Sequence, residues 1–152
     1  ADVAGLAEMR LGAARGKPGV VLFVTIGTGL GSALFTDGCL LPNTELGHLY
    51  FEDGIEAERY ASEAVRIGEA LDWATWGGRL NRYLMLMEQR FWPDWIVLGG
   101  GVSKELEHFA RYLTTHAPIM AAHFLNQAGI IGAALYAEQR LAREESGNCA
   151  PA

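Results

Sequence analysis

The chain has 152 residues, half of them hydrophobic, and a formal net charge of −6. A domain of this size buries roughly 70% of the surface its unfolded chain exposes, which excludes wholesale disorder. The acidic balance argues against a nucleic-acid binder, no apolar run reaches the ~18 residues of a bilayer span, and the alanine-rich start is amphipathic, unlike a signal peptide.

Residues 2–14 read as a helix, with Leu6, Met9 and Arg10 near one face. Gly16-Lys17-Pro18-Gly19 is a breaker. Residues 20–26 form an unbroken β-branched and aromatic run, the mark of a buried strand. A tight turn over 27–31 returns into a second strand over 32–36. Asp37-Gly38 is a hairpin signal, and a third strand follows over 39–41. Two or three antiparallel strands are therefore expected around a glycine loop. Residues 56–70 read as a helix, with Gly68 weakening its last turn. Leu80, Leu84, Met87 and Phe91 recur at helical spacing, and Pro93 ends that helix. Residues 95–98 are a short buried strand running into Gly99-Gly100-Gly101. Helices are expected over 104–113 and 129–143, the second with Ile130, Ala133, Ala134, Ala137 and Leu141 on its apolar side. The class is α/β, with one folded unit over 1–143 and a polar, frayed tail over 144–152.

Several stretches carry chemistry. Thr25-Ile26-Gly27-Thr28-Gly29-Leu30-Gly31 follows a strand. Glycines let backbone N–H groups approach an anion, and Thr25 and Thr28 add hydroxyls. The same stretch also reads as an ordinary hairpin turn. It is neither a P-loop, since no Lys-Ser or Lys-Thr follows, nor a dinucleotide fingerprint, since a strand follows it. Gly99-Gly100-Gly101-Val102-Ser103 links a strand to a helix, where a nucleotide can pack on flat backbone; a plain turn would need only one glycine. In Pro42-Asn43-Thr44-Glu45-Leu46-Gly47-His48, a helical turn would put Glu45 and His48 on one face. A carboxylate and an imidazole there can hold sugar hydroxyls, or simply cap a loop. His108, His116 and His123 stand alone and read as structural, and Trp73, Trp76, Trp92 and Trp95 as core. Arg79, Arg82 and Arg90 fit an anion groove, and Arg79 and Arg82 fit a solvated helix face equally well. Cys39 and Cys149 are far apart, form no metal motif and fit a reducing, cytoplasmic setting.

Five stretches in order resemble the ROK family of sugar kinases, in particular its polyphosphate glucokinase branch. They are Ala1-Asp2-Val3-Ala4-Gly5-Leu6-Ala7-Glu8, then 25–31, 42–48 and 96–103, and Asn126-Gln127-Ala128-Gly129-Ile130-Ile131-Gly132-Ala133-Ala134. The resemblance implies the actin-like ATPase (ribonuclease H-like) fold, with this chain as the C-terminal lobe of a two-lobe kinase. It implies that Thr25, Gly27, Thr28 and Gly29 bind phosphate, that Gly99, Gly100, Gly101 and Ser103 bind adenosine, and that Glu45 and His48 bind sugar. Glu58 resembles a further sugar-binding glutamate. The implied reaction moves a phosphoryl group from polyphosphate, ATP or both to the 6-hydroxyl of glucose, with Mg²⁺ accompanying the donor, in a cytoplasmic homodimer.

Two departures bear on that expectation. Many family members carry a cysteine-rich zinc motif soon after the Glu-x-Gly-His element; no cysteine lies between Cys39 and Cys149, so no structural zinc is expected. The family's catalytic aspartate belongs to a segment whose end Ala1-Asp2 resembles, so the base is expected just upstream of Ala1. No residue of this chain is assigned as catalytic, and the isolated chain is expected to have little kinase activity. A non-catalytic sugar-binding module and an inactive kinase remnant are the alternatives.

Overall fold

The structure is a computed structural model that describes residues 1–124 and 127–146. Five strands form one mixed sheet: β1 (Val20–Ile26), β2 (Leu30–Thr36), β3 (Cys39–Leu41), β4 (Trp95–Gly99) and β5 (Ile119–Ala121), in the order β3-β2-β1-β4-β5. The first three pair antiparallel, as the hairpin signals predict. Asp37 and Gly38 both take positive φ, the conformation of a tight two-residue hairpin turn. β1 then pairs parallel with β4, and β4 with β5. β5 is too short and too ordinary to stand out in the sequence.

β1 is apolar except for Thr25 near its carboxyl end, because both its faces are covered. Val21 and Phe23 pack with Ala33, Phe35 and Val97 under helix α1 (Asp2–Leu11), through Leu6 and Met9. Leu22, Val24 and Ile26 pack with Ile96 and Leu98 on the opposite face, against helix α4 (Trp73–Phe91). That helix buries Trp76, Leu80, Tyr83, Leu84 and Met87, a stripe at helical period. Asp72 caps it, accepting from the Thr75 amide at 2.7 Å, and Trp92 ends it at φ +46 just before Pro93. Trp92 is 75% exposed, so it is not a core residue, whereas Trp76 is fully buried.

Four other expectations change. α1 stops at Leu11, three residues early, because the Glu8 side chain takes the Ala13 amide at 2.8 Å. That fully buried carboxylate also accepts from the amides of His123 and Phe124, tying α1 to the segment after β5. The helix expected over 56–70 is two short ones, α2 (Glu58–Ala61) and α3 (Glu63–Gly68). Between them Ser62 is extended and caps α3. The helix expected over 104–113 is a 3₁₀ turn (Gly101–Glu105), the one-turn α5 (Leu106–Phe109) and a second 3₁₀ turn (Ala110–Tyr112). The last helix, α6 (Ala128–Ser146), runs past the predicted stop at 143; residues 147–152 of the predicted tail, and Cys149 with them, lie outside the described residues.

α6 packs on α1 through a different face from the one periodicity selects. Ala128 is buried, while Ile130 and Leu141 are 78% and 62% exposed. At Gly132 any side chain would run into the Val3 carbonyl, so small residues set the close approach of the two helices. Among the described residues no helix is long and apolar enough to cross a membrane.

Candidate functional site

The carboxyl ends of β1 and β4 open into one cleft of about 350 Å³, at the low end of the roughly 300–1,000 Å³ typical of small-molecule sites. Thr25, Gly27, Thr28, Gly29, Glu45, His48, Glu58, Gly100 and Gly101 all line it. Ligands of open α/β sheets bind at such strand ends. Two of the predicted residues do not reach the cleft lining. Gly99 is buried in β4 against the Phe23 ring. Ser103 is buried too, and its hydroxyl donates to the Gly100 carbonyl at 2.8 Å, so it shapes the turn. The glycine run therefore opens a 3₁₀ turn, not the helix N-terminus that the sequence suggests.

One wall of the cleft is backbone. In the glycine loop the Gly27 amide donates to the Gly29 carbonyl at 3.0 Å, and the Leu30 amide donates to Glu58 Oε2 at 3.1 Å. The amides of Thr28 and Gly29 have no hydrogen-bond partner among the described residues. Two adjacent free N–H groups in a glycine turn are suited to an anion. Gly100 sits beside the loop at φ +86, with its Cα against the Ile26 backbone; a Cβ there would lie 2.8 Å from the Ile26 carbonyl carbon.

The other wall is made of side chains. Glu45 precedes a 3₁₀ turn (Leu46–His48) in which the His48 amide donates to the Glu45 carbonyl at 3.2 Å. Residues three apart eclipse in a 3₁₀ turn, so Glu45 and His48 face one way. Gly47 lies so close to β2 that any side chain would strike the Leu30 carbonyl. The buried Ser32 braces the loop. Its hydroxyl donates to the Thr44 carbonyl at 2.5 Å and accepts the Leu46 amide at 3.0 Å, and Thr44 Oγ1 donates to the Ser32 carbonyl at 3.1 Å. Glu58, on α2, rests against the glycine loop, its carboxylate beside Gly29 and accepting from the Leu30 amide.

Sequence reasoning misses Glu56. Its Oε1 lies 2.7 Å from His48 Nδ1, and Oε2 lies 2.8 Å from Arg59 Nε. The Glu56 carboxylate raises the His48 pKa above its ordinary value, with smaller contributions of the same sign from Glu58 and Glu45. The only sequence signal was the Glu56–Arg59 spacing, which fits any exposed helix start. The contact with His48 needs the bridge between Tyr50 and Glu56 that turns the chain back.

The three arginines divide. Arg79 pairs with Glu69 and Arg82 with Asp53, each at 2.8 Å, so both belong to ion pairs on the flank of α4. Arg82 and Arg90 do line a separate hollow with Tyr50, Phe51 and Glu52. Among the described residues no group of three His, Cys, Asp or Glu side chains could hold a metal ion. The lone histidines His108, His116 and His123 lie at the surface, outside this cleft.

The chain is 43% identical over 137 residues to a polyphosphate glucokinase of Mycobacterium tuberculosis, a match that covers 89% of this chain and 51% of that protein. Among solved structures, the inorganic polyphosphate/ATP-glucomannokinase of Arthrobacter sp. strain KM superposes with a TM-score of 0.89. It is 44% identical, and the match covers 92% of this chain and 55% of that one. The ROK hexokinase of Thermus thermophilus follows the same fold at a TM-score of 0.70 and 28% identity, covering 92% of this chain and 64% of that one. No family model matches the chain. A mixed sheet of this kind, with a cleft at its strand ends and these neighbours, is the C-terminal part of an actin-like ATPase fold as the ROK sugar kinases build it. The chain belongs to that family, alongside the polyphosphate glucokinases, and spans about half the length of the curated relatives it matches.

Proposed function

We propose that the chain supplies the sugar-holding wall and one phosphate-holding loop of a kinase that phosphorylates the 6-hydroxyl of glucose. One observation supports this reading: Glu45, His48 and Glu58 line the same cleft as the free amides of Thr28 and Gly29. Carboxylates that accept from vicinal hydroxyls fix a hexose, and unpartnered loop amides stabilise charge on a phosphoryl group in flight. The donor is polyphosphate, ATP or both. Mg²⁺ arrives on the donor phosphates, as it usually does with one or two carboxylates and several waters, and needs no all-protein cage.

The lining contains no aspartate among the described residues. The family's aspartate base fits at the open end of α1, because Ala1 Cβ lies only 3.2 Å from where a Gly31 side chain would begin. A residue preceding Ala1 would enter the cleft between sugar and phosphate loop. There it would take the proton of the attacking hydroxyl as the bond to phosphorus forms. An opposing lobe that closes over the cleft would keep water from competing as acceptor. Such an enzyme works in the cytoplasm, where its donors are, and the family pattern suggests a homodimer.

The experiment is a melting-temperature measurement on the chain with glucose, ATP and polyphosphate, alone and with Glu45→Ala. Glucose is expected to raise the melting temperature of the wild type but not of the variant. No shift with glucose would leave a folded kinase remnant as the better description. A shift that survives Glu45→Ala would move the sugar elsewhere.

A further inference from the structure

We propose that Glu56, braced by Arg59, is a positioning residue that fixes which nitrogen of His48 meets the sugar. The inference rests on His48 being a sugar ligand, as proposed above. The geometry is specific: the Glu56 carboxylate lies 2.7 Å from Nδ1, and its second oxygen is held at 2.8 Å by the Arg59 guanidinium. Glu56 is mostly buried, at 13% side-chain exposure, while Arg59 is 82% exposed. A carboxylate accepts only, so Nδ1 must carry a proton. That leaves Nε2 as the ring nitrogen free for a ligand, and in neutral imidazole it is an acceptor. The pair therefore converts an ambidentate ring into an acceptor of defined position. An outer carboxylate that orients a histidine is a device familiar from metal sites, here used on an organic ligand.

The charged groups near the ring are Glu45, Glu56 and Glu58, with Arg59 behind Glu56. All three carboxylates favour the imidazolium, and Glu56 does so most. When His48 is protonated, Nε2 becomes a donor instead. Sugar binding through an acceptor hydroxyl and through a donor hydroxyl would then alternate with pH, with Glu56 holding the ring in place in both states.

The test is long-range proton–nitrogen NMR of the imidazoles in the full 152-residue chain, with His48→Gln to identify the His48 signals. In the wild type, neutral His48 should carry its proton on Nδ1 and titrate above the ordinary histidine midpoint. Glu56→Ala should mix the tautomers and bring the midpoint down. Glu56→Gln keeps an acceptor oxygen without the charge, so it should keep the tautomer while lowering the midpoint; being nearly isosteric, it also serves if the alanine variant folds poorly. Glucose added to the wild type should shift the His48 Nε2 signal, with roughly tenfold weaker apparent affinity in Glu56→Ala, the equivalent of one well-directed hydrogen bond. A wild-type ring protonated on Nε2, or the same tautomer and midpoint in all three proteins, overturns the proposal. A lost tautomer with unchanged glucose affinity also overturns it. If glucose moves no signal in the wild type, the sugar-site reading fails, and the tautomer still decides whether Glu56 positions His48.

Discussion

The two walls of the cleft are built from different material. The phosphate wall, in the glycine loop and the turn after β4, presents mostly backbone, with the Glu58 carboxylate resting against Gly29. The sugar wall presents side chains on a loop that Ser32 braces and that Gly47 lets pack closely on β2. The difference follows from the ligands. A phosphoryl group is a compact charge that any ordered N–H groups can hold, whereas a hexose is recognised by the direction of each hydroxyl. The backbone wall should therefore fail when atoms are added to it, and the side-chain wall when atoms are removed.

The largest effects are expected from single added methyl groups. Gly47→Ala forces a Cβ into the Leu30 carbonyl, an immovable backbone atom of β2. Gly100→Ala adds left-handed strain to a clash with the Ile26 backbone. Each should lose about 3 kcal/mol of stability, the upper range for overpacking or backbone strain. Urea unfolding measures it, and a loss well under 1 kcal/mol at either position would show that the loop can give way.

The removal side of the contrast is smaller and separates binding from stability. Glu45 is exposed, so Glu45→Ala should barely change unfolding. It should weaken glucose about 10- to 100-fold in calorimetric titration, the range for a lost hydrogen bond to a charged group. Ser32→Ala is the reverse case: it removes a hub of the Thr44 and Leu46 contacts, so about 1–2 kcal/mol of stability should go together with a several-fold loss of glucose affinity. If Ser32→Ala destabilised the fold but left affinity intact, the brace would be structural alone.

How much of this was legible beforehand depends on how far each feature reaches along the chain. β1, β2, the Asp37-Gly38 turn and β4 are local, and apolar runs with glycine punctuation announce them. The glycine loop and the Glu45–His48 pair are legible for the same reason: each lies within seven residues. Ser32, Glu8 and Glu56 act across 12, 115 and 8 residues and look like ordinary polar residues until the chain folds back. The break at Ser62 was hidden because serine reads equally as a helix residue or as a cap, and only the turn in the chain chooses. Periodicity misled at α6 because it weighs residue size. There the tight fit needed Gly132 facing α1 and left Ile130 outside.

The smallest expected effect isolates the one charge switch on the side-chain wall. His48 has its pKa raised in the folded chain, first by the hydrogen bond to Glu56. A group whose folded pKa is raised binds its proton more tightly when folded. Its stabilising contribution is therefore complete below the unfolded histidine value of about 6.5, and is lost as pH rises through the higher folded value. The ring is solvent-facing, so the effect is small, but its pH window is distinctive. While the Glu56 carboxylate stays ionised, the melting temperature of the wild type minus that of His48→Gln should be level just below pH ~6 and fall above it. The other three histidines and the carboxylates that do not face the ring are common to both proteins and cancel in the difference. A difference that stays level across neutral pH, or rises, would mean that Glu56 does not hold the imidazolium.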